Sequence, residues 1–128
     1  MGNWIPGDPT LVTELLRVSS RYSPPPPAGF VSPMTWGVPE QVVERFGRVG
    51  IAPERISCDR DTWVFATARP TDEFLADFRA YYGPTMNAFS AAEAAGQADE
   101  LWSELAALFA HHNRADDPST STRIGCAL

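Results

Sequence analysis

The stretch TWVFATARPTDEF, residues 62–74, changes from a strand pattern to a helix pattern and decides the class of the fold. Trp63, Val64 and Phe65 are residue types that favour strands, so we predict a strand near residues 55–67. Thr71 is a residue type that caps helices, and apolar residues follow it at helical spacing. The chain is therefore expected to combine strands with helices.

Two helical patterns precede this stretch and two follow it. The first begins at Asp8-Pro9, with Pro9 at the first helical position, and must end before SPPPPAGF, residues 23–30, because consecutive prolines remove backbone hydrogen-bond donors. The second begins near Pro39. Downstream, the patterns predict a fourth helix from Pro84 to Gly96 and a fifth within residues 97–115. Together with the helix that begins at Thr71, about five helices are expected.

Both ends of the chain have strand character. Residues 3–5 look like the last residues of a buried strand, and residues 123–128 look like the first residues of another. With the strand near 55–67, they predict a small antiparallel edge sheet and an α+β fold. The length of 128 residues fits a single domain that spans residues 1–128.

Composition excludes several classes of function. The net charge is −6, and the ten basic residues are all arginine and form no cluster, so nucleic acid is not an expected partner. No apolar run reaches the ~20 residues that cross a bilayer. The first residues do not resemble a signal peptide, which predicts a cytoplasmic location with Cys58 and Cys126 reduced. These cysteines lack metal-ligand spacing, and no metal site is predicted.

Six segments resemble, in order, the C-terminal half of class I S-adenosylmethionine-dependent methyltransferases of the small-molecule branch common in actinobacteria. They are NWIPG (3–7), RYSPPPP (21–27), SPMTWG (32–37), TWVFATARPTDEF (62–74), YYGPTMNAF (81–89) and HHNRADD (111–117). That family has a seven-stranded sheet between helices. The resemblance implies that residues 3–5 end the fifth strand, residues 55–67 form the sixth, residues 123–128 begin the seventh, and residues 71–115 form a helical cap over a substrate cavity.

The resemblance implies S-adenosylmethionine as the cofactor, yet the motifs that bind it in this family have no counterpart in the chain. The family uses a Gly-rich turn after the first strand, and no two of the nine glycines here stand two positions apart. We therefore expect the chain to be the substrate-binding part of a small-molecule methyltransferase, without activity or cofactor binding on its own. The alternative is a non-catalytic module that binds a small molecule or another protein.

The residues that we predict to bind a substrate are aromatic or polar. Tyr81 and Tyr82 precede Gly83-Pro84-Thr85, where phenols would line a pocket for an aromatic molecule or simply fill the corner between two helices. One of the two histidines would either transfer a proton or pack at its helix end. No nucleophilic triad is present, and no catalytic residue is assigned. The predicted substrate-binding set is Trp36, Tyr81, Tyr82, Thr85 and His112.

The partial strands predicted at residues 3–5 and 123–128 would leave the sheet incomplete, which predicts a protein partner. Unpaired strand edges beside apolar side chains invite another chain to pair with them. The expected partner is a separately encoded methyltransferase half. Without it, we expect a homodimer that forms through strand edges or through an exposed apolar face of the first helix, at Leu11, Leu15 and Val18.

Overall fold

The computed structural model describes all residues 1–128 as five α-helices and one two-stranded antiparallel sheet. The predicted α+β class with five helices is confirmed. The helices are α1 (Leu11–Tyr22), α2 (Pro39–Gly47), α3 (Thr71–Tyr81), α4 (Gly83–Ala94) and α5 (Ala98–His112). The strands are β1 (Thr62–Thr67) and β2 (Thr122–Ala127), and short 3-10 turns cover Pro33–Gly37 and Pro53–Arg55.

The sheet pairs β1 with β2, with Thr62 opposite Ala127 and Thr67 opposite Thr122. Asp61 and Leu128 exchange two further backbone hydrogen bonds of 3.2 and 3.0 Å just beyond the ladder. The pairing of the two strands ends at these two residues. The strand predicted near residues 55–67 is therefore shorter than expected, and its first residues form a 3-10 turn and an irregular segment.

The third predicted strand, at residues 3–5, is wrong. The carbonyl oxygen of Ile5 accepts hydrogen bonds from the backbone N–H of Asp8 at 3.3 Å and from the hydroxyl of Thr13 at 2.9 Å. A carbonyl that closes a turn and bonds to the first helix is not free for a strand ladder. The same turn explains why α1 begins at Leu11, two residues later than the Asp8-Pro9 signal indicates.

The core lies between one face of the sheet and helices α1, α3, α4 and α5. Leu11 and Leu15 are 0% exposed and Val18 is 5% exposed. The prediction that these residues form an exposed apolar face on the first helix is wrong, because α4, α5 and β2 cover that face. The fully buried side chains at the centre include Leu75, Leu101, Leu105, Phe109 and Ile124.

Helices α1 and α5 lie side by side in opposite directions. Near the start of α1, Glu14 Oε2 lies 2.9 Å from His112 Nε2 at the end of α5. Near the end of α1, the Tyr22 hydroxyl donates a 2.7 Å hydrogen bond to Glu104. This bond raises the pKa of Tyr22 to about 12, because the neighbouring carboxylate stabilises the protonated phenol.

The two outer edges of the sheet differ. The edge of β2 is covered, since Arg123 donates its N–H to Asn113 Oδ1 at 2.8 Å and accepts from the N–H of Arg114 at 2.8 Å. On β1, the register directs the N–H and C=O groups of Val64 and Ala66 away from β2, and no other group of the chain bonds to them. The outer edge of β1 is therefore open. No helix combines the length and apolar character needed to cross a membrane.

Candidate functional site

A cavity of about 310 Å³ lies where the N-terminal segment, β1 and the end of α3 meet. Its wall is almost entirely apolar, with one charged side chain. The lining residues are Trp4, Val12, Phe65, Asp77, Phe78, Tyr81 and Tyr82.

Helical and strand periodicity bring the aromatic rings together. Phe74, Phe78 and Tyr82 are four residues apart along α3 and its end, so they follow one helix face. Phe65 points from β1 toward that face, with its ring centroid 5.9 Å from that of Phe78. The ring centroids of Phe78 and Tyr82 are 5.3 Å apart, and those of Trp4 and Phe65 are 6.1 Å apart. These spacings are typical of packed aromatic pairs.

Trp4 is held at the cavity by a close backbone approach. A Cβ atom at position 37 would lie 2.0 Å from the carbonyl oxygen of Trp4 and 3.1 Å from Pro6 Cδ. Only glycine leaves room for this contact. Gly37 therefore determines where the N-terminal segment, and with it one wall of the cavity, is placed.

Asp77 supplies the only charge on the cavity wall. Its carboxylate is paired with the guanidinium of Arg69, with one of the two contacts at 3.4 Å. That hydrogen bond and the positive charge hold the pKa of Asp77 below its usual range, so the carboxylate is ionised at neutral pH. Arg69 itself does not line the cavity.

Tyr82 supplies a neutral polar group. Burial raises the pKa of its phenol, which stays protonated at neutral pH. No group of the chain hydrogen-bonds to this hydroxyl. Tyr81 also lines the cavity, but 82% of it is exposed, so it lies at the mouth.

The structure brings together two of the five residues that we predicted to bind a substrate, Tyr81 and Tyr82. Trp36 packs instead against Phe46, with ring centroids 6.2 Å apart, and under the guanidinium of Arg45. Thr85 is fully buried in α4, and no group bonds to its hydroxyl.

His112 does not line the cavity either, since its Nε2 faces Glu14 on α1. The side chain of His112 is only 12% exposed. Its Nε2 nitrogen is engaged by a carboxylate from another helix. A role in proton transfer stays a prediction.

Sequence reasoning missed the other wall residues. The spacing of Phe74, Phe78 and Tyr82 and the alternation of β1 are local signals that could have found Phe65 and Phe78. Trp4 could not be found in this way, because its position depends on a contact with Gly37, far away along the chain.

The cavity is suited to the recognition of a ligand. It offers aromatic faces, one ionised carboxylate and a free phenol hydroxyl, and no activated nucleophile lies among its wall residues. Comparison of the chain with protein-family models, curated proteins and solved structures finds no match.

Proposed function

We propose that the chain binds a small molecule with an aromatic or apolar body in this cavity, as the substrate-binding part of a methyltransferase-like protein. The cavity carries the proposal. Its volume of about 310 Å³ lies at the lower end of the range of small-molecule sites, and such sites are mostly apolar with a few polar groups. A cytoplasmic location stays a prediction from the sequence.

The resemblance of the six segments supports the methyltransferase context. Methyl transfer from S-adenosylmethionine depends mainly on holding the two reactants close and in line. A chain that only positions the substrate can therefore contribute to the reaction. In this proposal the cofactor is bound by a separately encoded half, and the isolated chain has neither methyltransferase activity nor affinity for the cofactor.

We expect indole, a neutral aromatic probe, to bind in the cavity with a dissociation constant of about 1 mM. The Tyr81→Ala variant should weaken binding by about 2- to 10-fold, because it removes one aromatic wall without disturbing the core. Two-dimensional NMR titration measures the affinity and identifies the residues that respond.

The matched control is Phe30→Ala, which removes an aromatic side chain that is 55% exposed and does not line the cavity. It should bind indole as the unaltered chain does. An indole response spread over the surface, or the same affinity in both variants, would contradict the proposal.

The open edge of β1 favours a second function, the interaction with another protein. We propose a second copy of this chain as the occupant. β1 contains no charged residue or proline, the two features that commonly protect an edge strand. In an antiparallel pairing with Val64 opposite Ala66 of the second copy, Asp61 lies opposite Arg69, so opposite charges flank the new ladder at both ends.

If this dimer forms, light scattering at micromolar concentrations should give a mass of about twice 14.0 kDa. Val64→Lys should shift the mass to that of the monomer, because a lysine on an edge strand disfavours pairing. The control Val49→Lys adds the same charge at a residue that is 73% exposed and outside the sheet. A monomer in the unaltered chain would rule out this pairing.

A further inference from the structure

The cavity wall is unusually rich in aromatic rings for a site that takes a plain hydrocarbon. Five of its seven residues are Trp, Phe or Tyr, and Val12 is the only aliphatic one. The face of an aromatic ring carries negative electrostatic potential, which attracts a cation placed over it. Several faces around one space form a cage of the kind that binds quaternary ammonium groups.

The arginines of the chain do not use these faces. Arg45 lies 4.5 Å from the ring centroid of Trp36, and Arg79 lies 4.6 Å from that of Phe89. Both of these rings are outside the cavity. No arginine of the chain lies over an aromatic ring that lines the cavity.

The one charge on the cavity wall has the sign that a cation requires. Asp77 is the one charged group on the wall, and no arginine or histidine lines the cavity. The chain as a whole carries a net charge of −6, which raises the local concentration of cations. An anionic ligand would meet a carboxylate and aromatic faces, both of which repel it.

We propose that the ligand of this cavity is a small organic cation, an ammonium group with methyl or aromatic substituents, held over the ring faces of Trp4, Phe65 and Tyr82 beside the carboxylate of Asp77. The inference rests on the proposed function, because it assigns a chemical class to the molecule that the same cavity binds. The hydroxyl of Tyr82 is available to a polar group on that molecule.

Two probes of nearly identical shape separate the effect of the ligand's positive charge from the effect of its size. Choline and 3,3-dimethylbutan-1-ol have the same shape, but the quaternary nitrogen of choline is replaced by carbon in the alcohol. We expect choline to bind about tenfold more tightly at constant ionic strength, as measured by NMR titration or calorimetry. Equal affinities, with indole still bound, would overturn the inference and leave the proposed function intact. Failure of all three probes would overturn both.

Variants of the two residues of the Asp77–Arg69 ion pair should change the preference for choline in opposite directions. Asp77→Asn should reduce the preference for choline over the alcohol at least threefold, because it removes the anion and releases Arg69. Arg69→Gln should increase that preference, because the carboxylate then has no partner of its own. Both side chains are more than a third exposed, so both variants should fold. A change in the same direction for both variants would indicate a merely structural role for the pair and would contradict the inference.

Discussion

Replacement of Phe109 by alanine should lower the free energy of unfolding by about 3–5 kcal/mol, a large part of the 5–15 kcal/mol that stabilises a typical domain. Phe109 is 0% exposed, and its ring centroid lies 5.3 Å from Phe78 and 5.8 Å from Phe74. Its removal leaves a cavity at the point where α5 packs on α3, which the surrounding helices cannot fill without moving. Denaturant unfolding followed by circular dichroism measures the loss.

Phe30→Ala is the matched control, because it makes the same chemical change at a residue that is 55% exposed. We expect its free energy of unfolding to change by no more than about 0.5 kcal/mol. If Phe109→Ala does not fold, Phe109→Leu keeps most of the volume and should lose less than about 1.5 kcal/mol. A loss below 1 kcal/mol in the alanine variant would be incompatible with a buried Phe109 at the contact of α3 with α5.

Substitution of Gly37 by alanine should weaken both stability and ligand binding. The added Cβ would stand 2.0 Å from the carbonyl oxygen of Trp4, a backbone atom that cannot rotate away as a side chain does. Relief requires the N-terminal segment to move, and forced overpacking of this kind costs about 1–3 kcal/mol. Because Trp4 moves with that segment, indole and choline should both lose affinity. Thermal unfolding and the same titrations test the two effects together.

Gly47→Ala is the control for the backbone change. Position 47 lies in α2, and a Cβ atom there has nothing within 4 Å. Alanine restricts the unfolded chain more than glycine does, so this variant should gain about 0.4–1 kcal/mol. The two substitutions are thus expected to differ in sign. Unchanged binding and stability in Gly37→Ala would mean that Trp4 does not depend on Gly37 for its position.

The features that were predictable from the sequence are those encoded by near neighbours in the chain. The strand pattern of Trp63, Val64 and Phe65, the proline run and the helical repeats are local, and they predict the five helices and the strand character of β1. The same reasoning located Tyr81 and Tyr82, because Gly83-Pro84 marks the corner beside them. The methyltransferase resemblance and the separately encoded half stay predictions.

The features that were not predictable depend on distant parts of the chain. Residues 55–60 have a strand-like pattern, but the pairing with β2 ends at Asp61 and Leu128, and the pattern alone does not show where a partner strand stops. Residues 3–5 have strand-like side chains, but the carbonyl oxygen of Ile5 accepts a hydrogen bond from the hydroxyl of Thr13 and is not available to a strand ladder. The helical pattern correctly predicts which side of α1 is apolar. It does not indicate that α4 and α5 cover that side.

The pairing of β1 with β2 also has a consequence for the order in which the protein folds. The two strands are separated along the chain by residues 68–121, which contain α3, α4 and α5. The entropy cost of closing a loop grows with its length, whereas contacts between consecutive helices close only short loops. The three helices should therefore assemble first, and the sheet should form late in folding. Until it does, the apolar side chains of β1 stay in water, and the newly made chain is most prone to aggregate during that interval.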